Sequence, residues 1–236
     1  MNKDFIEFAK EYLEEHKEDS ESYEIFKEAI DLVYSKTQKQ KIESEKISEE
    51  HKEYFTSDLH FFHDREFIYG PRGFSSEEQM REAYIKQWYS IVRKDDDIYV
   101  LGDFCAGSDM KKIRDLIISL PGKIHLIIGN HDTDAKVELY RTLPNIVEIT
   151  YQTKIVRNKR TYYLTHHPLL VSNLESDPSK SAINLHGHLH EAKKCSGDRP
   201  FTINVSVDAN DNKFVTIEDI EQIFKEEVNK CLSYVL

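Results

Sequence analysis

Residues 54–60 read Tyr-Phe-Thr-Ser-Asp-Leu-His, a short apolar run that ends in chemically competent side chains. The pattern returns at residues 98–103, where Ile-Tyr-Val-Leu leads into Gly-Asp, and at residues 124–132, where an apolar run leads into Gly-Asn-His-Asp. Such runs are typical of buried strands in a parallel sheet. The three stretches therefore predict strands whose carboxyl ends all carry polar side chains.

Helical patterns separate these strands. Residues 75–78 read Ser-Ser-Glu-Glu, a capping box ahead of apolar residues at helical spacing, and Asp109 begins a second helix that stops at residues 121–122, Pro-Gly. This alternation predicts βαβ units.

The second half of the chain favours strands. Residues 154–164 predict a hairpin that turns at residues 158–159, Asn-Lys. Residues 182–185 and 201–207 predict further strands, residues 214–215 are expected to continue the same sheet, and residues 217–228 predict a closing helix. We therefore expect residues 54–236 to form one α/β domain.

Residues 1–53 form a distinct charged segment. Apolar residues recur at helical spacing in residues 5–13 and 26–34, whereas residues 35–53 fit either an exposed helix or a solvated connector. The segment holds 16 Asp and Glu against 9 Lys and Arg, so it carries most of the net charge of −11. These helices could dock on the domain or mediate self-association, and the sequence does not choose between the two.

Composition excludes several classes of protein. No apolar run approaches the roughly 20 residues that a membrane-spanning helix needs, and the chain lacks the basic stripe expected of a protein that grips long nucleic acid. The opening residues lead into Glu-rich sequence rather than a secretory signal, and three scattered cysteines suit a reducing compartment. We expect a cytoplasmic protein.

Eight of the 11 histidines fall in four short strings at predicted strand ends. Ligands of open α/β sheets bind beyond the carboxyl ends of the strands, so these strings can converge on one site. Its carboxylate, amide and imidazole groups suit first-row transition ions. The candidate metal ligands are Asp58, His60, Asp103, Asn130, His166, His188 and His190.

The spacing of these ligands suggests how they act together. In an extended backbone, residues two apart face the same side, so Asp58 with His60, and His188 with His190, would each present two side chains together. The two oxygens of Asp103 make it the candidate bridge between two ions. Two ions ~3.5–4 Å apart can hold a hydroxide and clamp the attacking and leaving oxygens of a phosphoryl displacement, which predicts a phosphoester hydrolase.

Five ordered motifs within residues 54–216 resemble the signature of the calcineurin-like metallophosphoesterases. They are Asp58-x-His60, Gly102-Asp103, Gly129-Asn130-His131-Asp132, His166 and Gly187-His188-x-His190. The resemblance implies a four-layer αββα sandwich, here with an N-terminal helical extension. It also implies two divalent metal ions, manganese first, with iron, zinc or nickel as alternatives.

The resemblance also distributes the ligands. One ion would be held by Asp58, His60, Asp103 and His190, and the other by Asp103, Asn130, His166 and His188. His131 matches the family's non-ligand histidine, which acts as general acid or stabilises the transition state.

The chain departs from parts of the family pattern. Ala106 stands where many relatives carry a second Asp, and Gly107 stands where protein Ser/Thr phosphatases carry Arg. The string at residues 56–63 and the later Ile203–Asp208 look more like those of small bacterial and phage members. Substrate identity is therefore not inherited from the resemblance.

Four further residues are candidates with two interpretations each. Asp132 could orient the His131 imidazole as a catalytic partner or cap the following helix. His63 could contact the substrate or support a ligand, and the loop residue Arg72 could grip a phosphate or be solvated. His167 is expected to be a wall of the substrate site rather than a ligand.

These observations favour hydrolysis of a small phosphoester, more a phosphodiester of a short nucleotide-like substrate than a monoester. The preference rests on His131 as a proton donor for an alkoxide. A phosphomonoesterase or nuclease with the same site is the alternative within this chemistry. A non-catalytic scaffold of the same fold is the alternative from another class.

Overall fold

The computed structural model describes residues 51–169, 181–190, 194–196 and 199–233. The described strands are β1 (Glu53–Thr56), β2 (Asp97–Leu101), β3 (Lys123–Ile127), β4 (Ile146–Thr150), β5 (Gln152–Arg157), β6 (Arg160–Thr165), β7 (Ile183–His186), β8 (Cys195–Ser196) and β9 (Arg199–Asn204). The described helices are α1 (Glu66–Tyr69), α2 (Glu77–Ile91), α3 (Met110–Ser119), α4 (Asp134–Tyr140) and α5 (Ile217–Ser233). The predicted helices at residues 5–34 lie outside this part of the chain, so the N-terminal extension and its boundary stay predictions.

The strands form two sheets. The first sheet has the order β1-β2-β3-β4 and is parallel throughout, and the second has the order β5-β6-β7-β9-β8 and is mixed. The predicted hairpin is confirmed as β5 and β6, and its turn residues Asn158 and Lys159 both have positive φ, at 50° and 65°. A turn with both central residues in this region matches the twist of an antiparallel pair.

Side-chain caps begin two of the described helices between the strands of the first sheet. The Ser76 hydroxyl accepts a hydrogen bond from the Gln79 amide at the start of α2. Asp109 accepts from the amides of Lys111 and Lys112 at the start of α3. Both predicted helix starts are confirmed, since each cap satisfies amides that lack a partner within the helix.

Each face of the first sheet is buried against a different layer. Ile98 and Val100 of β2 belong to a core with helix residues such as Trp88, whereas the alternating Tyr99 and Leu101 belong to a second core. This second core also holds apolar residues of β6, β7 and β9 and, from α5, Ile217, Ile220 and Phe224. Alternate strand residues point to opposite faces, so β2 packs against both layers. The predicted sandwich of two packed sheets flanked by helices is confirmed.

Two details of the expected sheet are wrong. Val215 makes an isolated bridge to Phe55 of the first sheet and does not continue the second, and β9 ends at Asn204 rather than Val207. Ser206 bridges to Ser57 beyond the end of β1. The chain therefore crosses from one sheet to the other over residues 205–215, beside the polar strand ends.

None of the described helices has the length and apolar composition needed to cross a membrane.

Candidate metal centre

The candidate ligands lie in loops just beyond the strands, where the backbone turns back sharply. β1 ends at Thr56, and φ is 58° at Asp58 and 49° at His60, so the expected extended geometry for this pair is wrong. Asp103 and His188 have φ of 54° and 66° and are likewise not extended. Non-glycine residues in this region cost about 1–3 kcal/mol each and cluster at functional sites. The loops are held together by two backbone hydrogen bonds. The amide of Asp58 donates to the carbonyl oxygen of Gly102, and the amide of His60 donates to the carbonyl oxygen of Asp103.

Asp58, His60 and His190 form one group of donors. The Nε2 atoms of His60 and His190 are 3.2 Å apart and lie 4.0 and 3.6 Å from Asp58 Oδ1. Asp58 Oδ2 accepts from the Ser57 hydroxyl and from the His188 amide, whereas buried Oδ1 has no hydrogen-bond partner among the described residues. A buried carboxylate oxygen without a donor is costly unless a cation meets it.

Asn130, His166 and His188 form the other group. Asn130 Oδ1 lies 2.9 Å from both His166 Nε2 and His188 Nδ1. The second nitrogen of His166, Nδ1, lies 2.8 Å from the Leu101 carbonyl oxygen, which fixes the ring. Gly102 has φ of 91°, and a Cβ there would lie 2.3 Å from His166 Nδ1, so the ring can approach only glycine.

Asp103 lies between the two groups. Its Oδ2 is 3.6 Å from His60 Nε2 and 3.5 Å from His166 Nε2. Its Oδ1 accepts instead from the His131 amide at 2.8 Å. Asp103 therefore lies where a residue shared by both groups is expected, and its Oδ2 faces both.

Burial changes the titration of these groups. Desolvation raises the pKa of the Asp58 carboxyl to about 6 and lowers the pKa of the His60 imidazole well below its usual range. An uncharged imidazole presents a lone pair, and the unpartnered Asp58 oxygen beside it presents another. Together with the amide oxygen and the other imidazoles, these atoms fit divalent first-row cations.

Arg72 does not face the substrate side as proposed. Its side chain is 1% exposed, and Nε and Nη2 donate to the two oxygens of Asp208 at 2.9 and 2.7 Å. Nη2 also donates to the Asp58 carbonyl oxygen. All of these contacts hold the guanidinium inside the protein, so the interpretation of Arg72 as a phosphate-gripping loop residue is wrong.

Asp208 is a residue beside the candidate ligands that sequence reasoning missed. Its Oδ2 lies 3.1 Å from His190 Nδ1, while His190 Nε2 faces Asp58. Burial alone would raise the pKa of Asp208, but hydrogen bonds to His190 and Arg72 hold that pKa well below its ordinary value. A carboxylate behind a metal-binding histidine orients the ring. Its sequence signal is weak, because it ends the string Ile203–Asp208 without a neighbouring ligand.

His131 and His63 lie on the side of the Asp58 group. The exposed His131 ring is 5.1 Å from the His60 ring and 6.0 Å from the His63 ring, centroid to centroid. Exposed Phe67 contacts His63 edge-on at 5.8 Å. These rings border the donor cluster where a substrate could meet them.

Asp132 fits neither of its two interpretations. Its Oδ2 accepts from the amides of Gly129 and Asp103, and Tyr140 donates to its Oδ1. No hydrogen bond among the described residues joins it to the His131 ring, and Thr133 occupies the cap position of α4. Desolvation raises the pKa of its carboxyl to about 6. Asp132 thus ties the Asp103 loop to the loop after β3.

His167 lies at the other end of the cluster. Its exposed ring is 4.9 Å from the His166 ring and 4.2 Å from the His188 ring. It lines a cavity of about 420 Å³. The other lining residues are Ile128, Gly129, Asn130, Tyr151, Thr165, His166, Pro168 and Leu169.

A two-sheet α/β fold with carboxylate, amide and imidazole donors at its strand ends defines a class of metal-assisted phosphoesterases. Residues 54–206 match the calcineurin-like phosphoesterase superfamily domain, and the chain belongs to that family. An uncharacterized protein of Methanocaldococcus jannaschii is 32% identical over 180 residues, which cover 73% of this chain and 91% of that protein. The Gene 66 protein of Mycobacterium phage L5 is 40% identical over 82 residues, 34% of this chain and 39% of that protein.

A solved structure shares the fold. The crystal structure of a protein of unknown function from Aquifex aeolicus aligns with a TM-score of 0.59 at 24% identity, covering 74% of this chain and 100% of that one. Family membership supports phosphoester hydrolysis with divalent metals and leaves the substrate open.

Proposed function

We propose that the protein is a two-metal phosphodiesterase that hydrolyses a small or short nucleotide-like ester in the cytoplasm. The observation that carries the proposal is the position of Asp103 Oδ2, which lies 3.6 and 3.5 Å from ligand nitrogens of two separate donor groups. Asp103 would therefore contribute to holding both cations.

The two donor groups would hold one ion each. One ion would take Asp58, His60 and His190, the other would take Asn130, His166 and His188, and Asp103 would serve both. Manganese is our first choice, with iron, zinc or nickel as alternatives, because mixed carboxylate and imidazole donors accept all of these ions. Divalent ions bound there would lower the pKa of a water molecule and draw charge from the phosphoryl oxygens.

His131 would act on the departing group. Its amide is tied to Asp103 Oδ1, which sets its ring close to that of His60 while leaving the side chain exposed. As the water oxygen bonds to phosphorus and the opposite P–O bond breaks, the protonated imidazole would give its proton to the departing oxygen. An alkoxide leaves poorly without a proton, so this arrangement favours diesters of alcohols.

The complete set of candidate ligands argues against a non-catalytic scaffold protein. All seven candidate ligand positions carry donor side chains, and the structure gathers them around Asp103 and Asn130. A protein that used the fold only for docking would have no need of an unpartnered buried carboxylate oxygen such as Asp58 Oδ1.

The test is the hydrolysis of bis-p-nitrophenyl phosphate and of p-nitrophenyl phosphate by the manganese-loaded protein. We expect faster turnover of the diester. We also expect Asp103→Asn to lower kcat/KM by more than about 100-fold, since even residues behind the ligands are worth about 10–100-fold. Asp115→Asn removes an exposed carboxylate of α3 and should leave the rate unchanged.

Three outcomes would contradict the proposal. Equal turnover by Asp103→Asn and the wild type would remove the role given to Asp103. Faster turnover of the monoester would indicate a phosphomonoesterase. A fully metal-loaded protein that is inert towards both esters would indicate a scaffold.

A further inference from the structure

The cavity of about 420 Å³ opens directly beside the Asn130 group. Asn130 and His166, two candidate ligands, form its inner wall, and the ring of His167 contacts that of His188 at 4.2 Å. A substrate whose phosphate lies on the metal centre would therefore reach this cavity with the group attached to phosphorus.

The outer wall of the cavity is aromatic and apolar. Tyr151 is 73% exposed although it is a large side chain, and Pro168 and Leu169 line the same space. Among the described residues, those that line the cavity include no Lys, Arg, Asp or Glu. Pockets of this size and composition bind organic groups, and an aromatic face stacks on any nucleobase. The described part of this wall thus fits a planar, uncharged group.

The Tyr151 backbone is held in place. This residue connects β4 to β5 and so links the two sheets through a single residue. The Thr150 hydroxyl donates to the Gln152 carbonyl oxygen across it, and the Thr150 carbonyl oxygen accepts from the Ile128 amide. A backbone fixed in this way lowers the ordering cost of binding a planar group against the Tyr151 ring.

The opposite wall is held as well. The Thr165 hydroxyl donates to the His167 carbonyl oxygen at 2.6 Å, and the Leu169 amide donates to Asn184 Oδ1 at 2.9 Å. Asn184 is fully buried. The backbone on both sides of the cavity is therefore held by hydrogen bonds.

The position of His131 indicates which part of the substrate enters the cavity. A proton donor must lie beside the departing oxygen, and the His131 ring lies by His60 and His63, on the side of the Asp58 group. The departing arm of a diester belongs on that side. The arm that stays on phosphorus is then left with the cavity beside Asn130.

We propose that the Tyr151 cavity binds a planar aromatic group, such as a nucleobase, on the arm of the phosphodiester that is retained after hydrolysis. This inference rests on the proposed phosphodiesterase activity. It adds a specificity residue, Tyr151, and the direction in which the substrate binds.

Two diesters that share p-nitrophenol as the leaving group test it. One is the p-nitrophenyl ester of thymidine 5′-monophosphate, whose retained arm is planar, and the other is methyl p-nitrophenyl phosphate, whose retained arm is a methyl group. We expect the wild type to prefer the thymidine ester in kcat/KM. Tyr151→Ala should reduce that preference by about 10-fold, mainly through KM, because the loss of base–aromatic stacking weakens binding by about that factor. Tyr151→Phe should keep the preference, since the ring and not the hydroxyl does the stacking.

Tyr89→Ala is the matched control, because Tyr89 is an exposed aromatic of α2 outside the site and should leave both esters unaffected. Equal losses on the two esters in Tyr151→Ala, or an unchanged preference, would overturn the role of the cavity while leaving the phosphodiesterase proposal intact. A wild type that hydrolyses neither ester would overturn both.

Discussion

Clusters of histidine and carboxylate lie at both ends of the parallel sheet, and they differ in whether their carboxylate oxygens have hydrogen-bond or ion-pair partners. At the amino-terminal end, Asp97 lies between His51 Nε2 at 3.0 Å and His125 Nε2 at 2.8 Å, and His125 Nδ1 meets Glu148 at 2.9 Å. Glu53 there is paired with Arg157 through two hydrogen bonds of 2.5 Å. These polar groups meet one another directly.

At the carboxyl-terminal end, two carboxylate oxygens lie close to imidazole nitrogens without a close hydrogen-bond partner. Asp58 Oδ1 has no hydrogen-bond partner among the described residues, and Asp103 Oδ2 lies at 3.5–3.6 Å from two imidazoles. The backbone there has positive φ at four candidate ligands, whereas Asp97 and His125 lie within β2 and β3 and do not have positive φ. Closely packed histidines and carboxylates are thus common to both ends, whereas unpartnered carboxylate oxygens on a strained backbone distinguish the candidate metal centre from the salt-bridge network.

The largest expected difference concerns manganese binding by a pair of matched variants. Asp58→Asn keeps the shape of the side chain but removes the charge at the unpartnered oxygen, so we expect the affinity of one ion to fall by more than about 100-fold. Asp97→Asn makes the same change at the other end and should bind manganese like the wild type. Isothermal titration of the metal-free proteins measures both. The comparison fails if Asp97→Asn loses an ion or if Asp58→Asn binds as the wild type does.

A smaller effect is expected from the carboxylates that lie behind a histidine at each end. Asp208 holds His190, and Glu148 holds His125, with similar distances of 3.1 and 2.9 Å. Only His190 directs its other nitrogen towards an unpartnered oxygen, that of Asp58. Asp208→Asn should therefore raise the manganese concentration needed for half-maximal activity by about 10–100-fold, whereas Glu148→Gln should leave it unchanged.

Excess manganese separates a positioning role of Asp208 from a purely structural one. If Asp208 orients His190, saturating metal should restore most of the activity of Asp208→Asn. A variant that stays inactive at every manganese concentration, or one with an unchanged requirement, would contradict the positioning role.

The sequence was sufficient to predict the fold and the region of the candidate site. Apolar runs that end in Asp58, Asp103 and Asn130 predict parallel strands, and the carboxyl ends of such strands meet at one edge. The two-sheet sandwich is confirmed, and the structure brings all seven candidate ligands to that edge. The family resemblance implied the sandwich, whereas local pattern was enough for the position of the site because each strand carries its own polar terminus.

The ligand backbone conformation, the Arg72–Asp208 ion pair and the position of Tyr151 depend on contacts that no local pattern encodes. A positive φ at Asp58 or His60 is rare for residues with a Cβ, so a sequence pattern favours the extended backbone that was wrongly expected. Arg72 and Asp208 are 136 positions apart, and their ion pair arises only because residues 205–215 cross between the sheets. Tyr151 carries no catalytic chemistry and becomes notable only when its exposure beside the cavity is seen.

The smallest expected effect is on stability at the amino-terminal end. His125 stacks on Tyr99 at 4.5 Å and joins Asp97 to Glu148, yet these groups keep 18–40% of their side chains exposed, so water replaces much of what is lost. We expect His125→Gln to lower the free energy of unfolding in urea by about 1 kcal/mol, the usual net worth of a hydrogen bond, with kcat/KM and manganese affinity unchanged. A loss of activity without a loss of stability would mean that this end of the sheet also binds a ligand. Unpartnered carboxylate oxygens would then no longer distinguish the two ends.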